Sequence, residues 1–208
     1  MKYTYLLCPG FGFSNKYWRN LAPLLDGSVV FFDDNYKIDK KKRYVGIGHS
    51  LGFQKLNNSG IKFDFLIGLQ GFLNFCGNEP NEKERRRRNI HRLIKMLTND
   101  AYQTLKIFYD ACQYPDPISE NIVVDDLKAD LLSMEQSYPH CGHLTLVIGS
   151  DADQIVPLSV INDNFIPVPK VIVKKIDGIN HLLGFVRAEE VSKKIRDFID
   201  ERKNKIIF

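Results

Sequence analysis

Short apolar runs alternate with turn residues and amphipathic segments over most of the chain. Each run is rich in β-branched and aromatic residues, as is typical of strands. The segments between the runs carry apolar residues at the spacing of a helix face. Strands that alternate with helices predict a parallel sheet covered by helices on both faces. We expect about six strands, near residues 3–8, 28–32, 44–48, 63–68, 144–148 and 171–176.

Two segments outside the middle of the chain predict helices that pack on this sheet. Residues 14–25 place Trp18 and several leucines at helical spacing, and residues 185–201 carry a second apolar stripe. The run 28–32 is continuously apolar, which predicts a strand that is covered on both faces. The connection 33–43 is too short for a full crossover helix, so we expect a trimmed sheet.

The middle of the chain, about residues 74–142, has no strand pattern. Three successive apolar stripes at helical spacing occur there, and Asn99 or Asp100 is the expected N-cap of the second helix. A block of helices between two strands predicts a lid inserted into a single domain. We therefore divide the chain into a core of residues 1–73 and 143–208 and a helical lid of residues 74–142.

Composition narrows the class of protein. The 208 residues are 44% apolar and 26% charged, which is typical of a soluble globular domain. A net charge of +4, without a basic motif interleaved with aromatic residues, gives no reason to expect a nucleic-acid partner. No run approaches the roughly 18 apolar residues of a membrane span, and the N-terminal run is typical of a strand rather than a signal peptide. Four scattered cysteines suggest reduced thiols and a cytoplasmic protein.

A candidate nucleophile lies at the end of the third predicted strand. Gly48-His49-Ser50-Leu51-Gly52 forms a G-x-S-x-G motif, with a strand before it and a helix-like segment after it. A sharp strand–turn–helix bend crowds the backbone, and glycines on both sides remove side chains that would clash. Ser50 would then be exposed at the carboxyl edge of the sheet. His49 would point away from the nucleophile, which favours a structural role.

A serine needs a base, and the base needs a carboxylate that orients it. His181 follows the last predicted strand and is the candidate base. Asp151 and Asp153 both follow the strand at 144–148. The pattern Asp153-x-x-x-Pro157, in which the proline begins the next helix, favours Asp153 as the acid, and we expect Asp151 to cap a loop. The chain order Ser, Asp, His occurs in hydrolases built on sheets of this kind.

Acyl transfer also needs hydrogen-bond donors for the oxyanion. The backbone N–H of Leu51, directly after the nucleophile, is one candidate. The amide of Phe11 is the other, in the glycine-rich loop after the first strand, although the same loop is also consistent with a simple tight turn. Residues 140–143 (His-Cys-Gly-His) offer soft ligands, but their spacing is too tight for a usual zinc site. We therefore expect no metal and no cofactor.

The most basic stretch of the chain lies in the predicted lid. Residues 82–88 include four consecutive arginines. In a helix, Arg88, Arg92 and Lys95 lie opposite the apolar stripe, so one face packs and the other is cationic. Such a face either binds an acidic partner or is simply solvated, and the sequence leaves both alternatives open.

These motifs together resemble a known family. The chain is similar to the α/β-hydrolases and, within them, to the pimeloyl-acyl-carrier-protein methyl ester esterases of biotin synthesis. The resemblance covers nearly the whole chain, and its lid segment points to the esterases. The residues that carry it are Pro9-Gly10-Phe11-Gly12 with Tyr17-Trp18-Arg19, Gly48 to Gly52, Asp153-x-x-x-Pro157, Asn180-His181 and the helical segment 92–100.

The resemblance implies a trimmed α/β-hydrolase fold, with a mostly parallel sheet of about six strands and an inserted helical lid. It implies Ser50 as nucleophile, Asp153 as acid and His181 as base, with the Phe11 and Leu51 amides as the oxyanion hole. It also implies cleavage of a methyl ester on an acyl chain held by acyl carrier protein. The residues expected to bind this acidic carrier and its phosphate-bearing arm, or the substrate, are Arg85, Arg88, Arg92, Lys95 and Trp18.

Two alternatives stay open. The first is a generic short-chain carboxylesterase or acyl thioesterase, which would use the same three side chains. The second is a catalytically silent binding protein on the same fold, since a fold alone does not fix a function.

Overall fold

The computed structural model describes residues 2–33, 35–119 and 121–206. Its centre is a sheet of six strands, and all five strand pairings are parallel. The predicted sheet of about six strands is therefore confirmed. The strands are β1 (Tyr3–Cys8), β2 (Gly27–Phe31), β3 (Tyr44–His49), β4 (Phe65–Leu69), β5 (Leu144–Ser150) and β6 (Val171–Ile176).

The strand order places the candidate chemistry at one point of the sheet. The order is β2-β1-β3-β4-β5-β6, so the chain moves outward from β1 to β2 and then crosses back to β3. Open parallel sheets bind ligands at the carboxyl ends of the strands beside such a reversal. Cys8 at the end of β1 pairs with Gly48, and His49 at the end of β3 pairs with Leu69. The loops after β1, β3 and β4 consequently leave the sheet at the same level.

The burial of the strands follows from their position. Every residue of β1, β3 and β4 is buried, because helices cover both faces of the sheet there. The expectation that residues 28–32 are covered on both faces was wrong. β2 is an edge strand with half-buried and exposed positions, and Phe31 is 40% exposed.

Seven helices lie among the described residues. They are α1 (Leu51–Asn58), α2 (Pro80–Asn99), α3 (Ala101–Cys112), α4 (Val124–Ser133), α5 (Leu158–Phe165), α6 (Leu183–Val186) and α7 (Ala188–Ile206). None of them is both long enough and apolar enough to cross a membrane.

Two predicted helices differ from the structure. Residues 14–25 form two short 3₁₀ turns, Asn15–Arg19 and Ala22–Leu24, instead of one α-helix. The second turn contains Pro23, whose ring and missing N–H interrupt an α-helix. The segment predicted at 185–201 is divided between α6 and α7.

The helical insert, α2 to α4, lies between β4 and β5. Glu79 accepts hydrogen bonds from the amides of Asn81 and Glu82, which caps the start of α2. Asp100 ends α2 and caps α3, because its side chain accepts a hydrogen bond from the amide of Gln103. This shared residue makes α2 and α3 a tight helical hairpin.

Candidate active site

Ser50 lies on a sharp bend between β3 and α1. Its φ of 52° and ψ of −122° are strained for a residue with a side chain, and such strain costs about 1–3 kcal/mol. The Ser50 amide donates to the Leu69 carbonyl at 2.9 Å, which fixes the bend to the end of β4. The serine therefore stands at the carboxyl edge of the sheet, where the sequence predicts the nucleophile.

The glycines around Ser50 are required by close backbone packing. A Cβ atom on Gly52 would lie 2.1 Å from the Cys8 carbonyl oxygen, and one on Gly48 would lie 2.3 Å from the Phe53 amide nitrogen. A side chain at either position would force the bend open. The spacing of the G-x-S-x-G motif thus reflects sterics at both sides of the serine.

His181 and Asp153 form a buried pair beside this bend. His181 Nδ1 lies 2.8 Å from Asp153 Oδ2, and the two side chains are 1% and 0% exposed. The other carboxylate oxygen of Asp153 accepts from the amides of Ile155 and Val156 at 2.8 and 3.0 Å. The carboxylate is thus fully engaged, and it holds the imidazole with Nδ1 as the donor nitrogen and Nε2 available as a base.

Asp151, the other candidate acid, lies elsewhere. Its carboxylate accepts from the Gly178 amide at 2.9 Å and lies 3.3 Å from Lys175 Nζ at the surface. The Gly178 hydrogen bond, followed by contacts to Asp177 and Lys175, lowers the pKa of Asp151 to about 2. Asp151 therefore ties down the turn after β6 and makes no contact with the imidazole of His181.

Two buried polar residues that sequence reasoning missed hold the segment around His181. Ser150 Oγ accepts from the Ile179 amide at 3.0 Å. The Gln70 side chain donates to the Asn180 carbonyl at 2.7 Å and accepts from the Leu183 amide at 2.9 Å. The available signal was a polar residue directly after an apolar strand, at the carboxyl end of β4 and of β5.

His49 is buried behind the nucleophile, among aromatic rings. Its ring stacks on Tyr17 with centroids 4.2 Å apart, and it lies 4.6 Å from the His181 ring. Burial, and then the nearby charge of His181, holds the pKa of His49 well below its usual value. His49 is consequently a neutral packing residue at ordinary pH.

The loop after β1 lies against the nucleophile. A Cβ atom on Gly10 would lie 2.9 Å from the Ser50 Cβ, so the loop approaches the serine as closely as sterics allow. Leu51 is the first residue of α1, so its amide has no acceptor within the helix. The Phe11 amide makes no hydrogen bond to another described residue. The Leu51 amide directly follows Ser50, and the Phe11 amide follows the Gly10 that approaches it, so the oxyanion role of both N–H groups stays a prediction.

The helical insert closes over this loop. Tyr109 of α3 donates its hydroxyl to the Gly12 carbonyl at 2.7 Å, and Phe108 packs edge-to-face on Phe11 with centroids 5.4 Å apart. Ser50 is only 4% exposed, so the predicted exposure of the serine is wrong: the loop after β1 and the insert cover it. Its hydroxyl makes no hydrogen bond to His181 among the described contacts. Catalytic hydrogen bonds are often open without substrate and tighten when substrate binds.

The same loop also lines a cavity of about 440 Å³. Gly10 and Gly12 form one wall, and none of the three triad side chains lines it. Its charged residues are Asp33, Asp126, Asp130 and Lys55. Lys55 is 2.7 Å from Asp130, so the cavity keeps a net negative character. The described residues contain no cluster of His, Cys, Asp and Glu suited to a metal ion.

The basic stretch forms part of α2, and only some of its basic side chains form ion pairs with neighbouring glutamates. Arg85 is paired with Glu82 at 2.6 Å, and Arg88 lies 3.7 Å from Glu84. Arg92 and Lys95 are exposed, and neither forms an ion pair with another described residue. The cationic face thus reduces mainly to these last two side chains.

One residue predicted to bind the substrate or carrier is buried, and so is one further arginine of the basic stretch. Trp18 belongs to the first 3₁₀ turn and its side chain is fully buried, so its predicted contact with a substrate or carrier is wrong. Arg86 is also buried, and it donates to the carbonyls of Phe75 and Cys76. The spacing of Arg86 to Ile90 and Leu97 was a signal for this, because it places the arginine on the apolar stripe.

Comparisons with known proteins find the fold but no sequence family. No protein-family model and no curated protein sequence matches this chain. An esterase from Exiguobacterium antarcticum matches with a TM-score of 0.74 and 12% identity, over 96% of this chain and 93% of that one. MenH from S. aureus matches with a TM-score of 0.67 and 14% identity, over 97% and 94%. A bromoperoxidase from Bacillus anthracis matches with a TM-score of 0.70 and 15% identity, over 96% and 92%.

These similarities extend over almost the whole length of each chain. With the parallel sheet and the bend at Ser50, they show that the chain has the α/β-hydrolase fold. At 12–15% identity they are evidence for fold alone. The chemistry has to be argued from the site.

Proposed function

We propose that this protein is a serine carboxylic ester hydrolase. The observation that carries the proposal is the buried pair of His181 and Asp153, 2.8 Å apart, beside a serine held on a strained bend. Burying a carboxylate beside an imidazole costs desolvation free energy, so such a pair is weak evidence for stability. Orienting a general base is the role that this geometry fits. Three esterases are among the proteins with similar structures, which is consistent with this chemistry.

The mechanism follows from the positions of the donors and acceptors. His181 takes the hydroxyl proton of Ser50 as the oxygen attacks the ester carbonyl, and Asp153 stabilises the imidazolium that forms. The amides of Phe11 and Leu51 donate to the oxyanion. The imidazolium then gives its proton to the leaving alkoxide, so the alcohol departs and an acyl-enzyme remains. His181 finally activates a water that releases the acid and restores the serine.

The specific substrate we propose is the methyl ester of a pimeloyl chain on acyl carrier protein. The exposed and unpaired charges of Arg92 and Lys95 are available to an acidic carrier. A cytoplasmic location is part of the same proposal.

A generic carboxylesterase is the second candidate. It would use the same Ser50, Asp153 and His181, and it would need no basic surface for a carrier. Arg85 and Arg88 are partly neutralised by glutamates within α2, which weakens the case for a carrier.

The first experiment tests the chemistry. Ser50→Ala should abolish hydrolysis of p-nitrophenyl butyrate and labelling by a fluorophosphonate, while the thermal melt stays that of a folded protein. A wild-type protein that neither hydrolyses the ester nor reacts with the probe would instead indicate a silent binding protein.

The second experiment separates the two candidate substrates. Arg92→Glu with Lys95→Glu should lower kcat/KM for a carrier-bound methyl ester by roughly tenfold or more, and leave that for free dimethyl pimelate unchanged. Lys41→Glu with Lys42→Glu is the matched control. These exposed lysines precede β3, at the amino ends of the strands, whereas the candidate site lies at their carboxyl ends. Equal effects of both pairs, or no preference for the carrier-bound ester, would favour the generic carboxylesterase.

A further inference from the structure

Gln70 occupies an unusual position at the end of β4. Its side chain is completely buried, and its backbone has a φ of 52°, in the region that favours glycine. The Gln70 amide donates to the Ile148 carbonyl at 2.8 Å, which fixes the backbone between β4 and β5. A buried polar side chain on a strained backbone persists where the surrounding contacts require it.

The side-chain amide of Gln70 bridges the two sides of His181. Its Nε2 donates to the carbonyl of Asn180, directly before the histidine, at 2.7 Å. Its Oε1 accepts from the amide of Leu183, two residues after the histidine, at 2.9 Å. One planar group therefore satisfies a backbone acceptor on one flank of the candidate base and a backbone donor on the other.

The segment around His181 has other ties, but each of them holds it at one point: Asp153 holds the ring, and the Tyr17 hydroxyl accepts from the Gly184 amide. It lies between β6 and α6, outside any strand ladder. Ser150 Oγ holds the Ile179 amide on the upstream side, and Asn180 Nδ2 donates to the Ala111 carbonyl of α3. Gln70 is the residue among these that contacts both flanks and is joined to the sheet itself.

We propose that Gln70 is a positioning residue for His181, and that its side chain sets the height of the imidazole above the nucleophile. This inference rests on the proposed ester hydrolysis. Without the bridge, the backbone on both sides of His181 loses its tie to β4. The Nε2 atom then spends less time within reach of Ser50 Oγ, although the groups that bind the ester are unchanged. Misplacement of a reacting group by about 1 Å costs roughly 100-fold in rate.

Gln70→Met tests the bridge, because methionine has a similar length and no polar atoms. We expect kcat on p-nitrophenyl butyrate to fall by roughly 30- to 100-fold, with KM changed by less than about twofold. Gln54→Met is the matched control. Gln54 is buried too, but its amide donates to the Ser133 carbonyl in α4, so the same substitution there should lower stability without this loss of kcat.

Gln70→Glu supplies a readout that a merely structural role would not move. A protonated carboxylic acid has one donor and one acceptor, so it can replace the amide, whereas the ionised form cannot donate to the Asn180 carbonyl. Burial raises the pKa of such an acid above its usual value of about 4.3. We expect kcat of this variant to approach that of wild type at low pH and to fall toward that of Gln70→Met as pH rises. This variant also replaces Gln70→Met if the latter does not fold.

The ¹H resonance of the His181 Nδ1–H, observed at low field, separates this inference from the proposed function. In Gln70→Met we expect it to broaden or vanish, because the ring is no longer held still. Loss of the resonance in a protein without esterase activity would support positioning and overturn the proposed function. An active protein whose kcat, pH profile and resonance are the same in both Gln70 variants as in wild type would overturn the positioning role.

Discussion

Asp153→Asn should disable the proposed triad by reversing the tautomer of His181. The Oδ1 atom of Asp153 accepts from the Ile155 and Val156 amides, and Oδ2 faces His181 Nδ1 at 2.8 Å. In the variant, the asparagine oxygen keeps the two amide hydrogen bonds, so its NH₂ group faces the imidazole. Nδ1 must then accept, the ring proton moves to Nε2, and the base can no longer take the serine proton.

The magnitude follows from the cost of turning the asparagine over. The opposite orientation would set an NH₂ group against two buried N–H donors, each left without its acceptor, at about 2 kcal/mol per group or about 4 kcal/mol in total. At about 1.4 kcal/mol per tenfold change, the competent orientation is reduced roughly 1,000-fold. Loss of the carboxylate charge that stabilises the imidazolium adds to this, so we expect kcat to fall by roughly 10³- to 10⁴-fold.

The assay is steady-state hydrolysis of p-nitrophenyl butyrate, with a thermal melt to confirm folding. Asp151→Asn is the matched control, because Asp151 binds the Gly178 amide outside the triad, and it should lose less than about tenfold. An Asp153→Asn protein that is folded and within tenfold of wild type would refute this account of His181. A larger loss in Asp151→Asn than in Asp153→Asn would transfer the role of acid to Asp151.

Three further variants test separate parts of the site. Burial holds the pKa of His49 well below its usual value, so the folded state resists protonation and stability falls as pH drops below about 6.5; His49→Asn should remove this part of the pH dependence in denaturant melts, and an unchanged dependence would contradict it. Tyr109→Phe removes the hydroxyl that holds α3 to the Gly12 carbonyl, which should cost about 1 kcal/mol and raise kcat/KM for a p-nitrophenyl octanoate relative to the acetate; a constant ratio would show that α3 does not limit access. Gly52→Ala places a Cβ 2.1 Å from the Cys8 carbonyl oxygen and should destabilise the fold by about 3 kcal/mol; a melt like that of wild type would mean that the bend can relax.

The sequence by itself predicted the strands of the sheet, the bend that contains the candidate nucleophile and one helix cap. Periodicity is a local property, and the runs at β1, β3 and β6 are marked by their own residues and by the turns that follow them. The bend at Ser50 has a local signal, two glycines and a serine at fixed spacing, although the contact that requires Gly52 is with Cys8 of β1. The same holds for the Asp100 cap, where a short polar side chain binds an amide three residues away.

Tertiary structure alone decided which of these residues meet and which are covered. Asp151 and Asp153 lie two residues apart, and although the spacing to Pro157 favoured Asp153, it is the path of the turn after β6 that directs Asp153 to His181 and Asp151 to the surface. The same kind of long-range packing buried Trp18, placed β2 at the edge and set Gln70 across the segment that contains His181. Such outcomes depend on contacts between residues that are far apart in the chain, and neither composition nor spacing encodes those contacts.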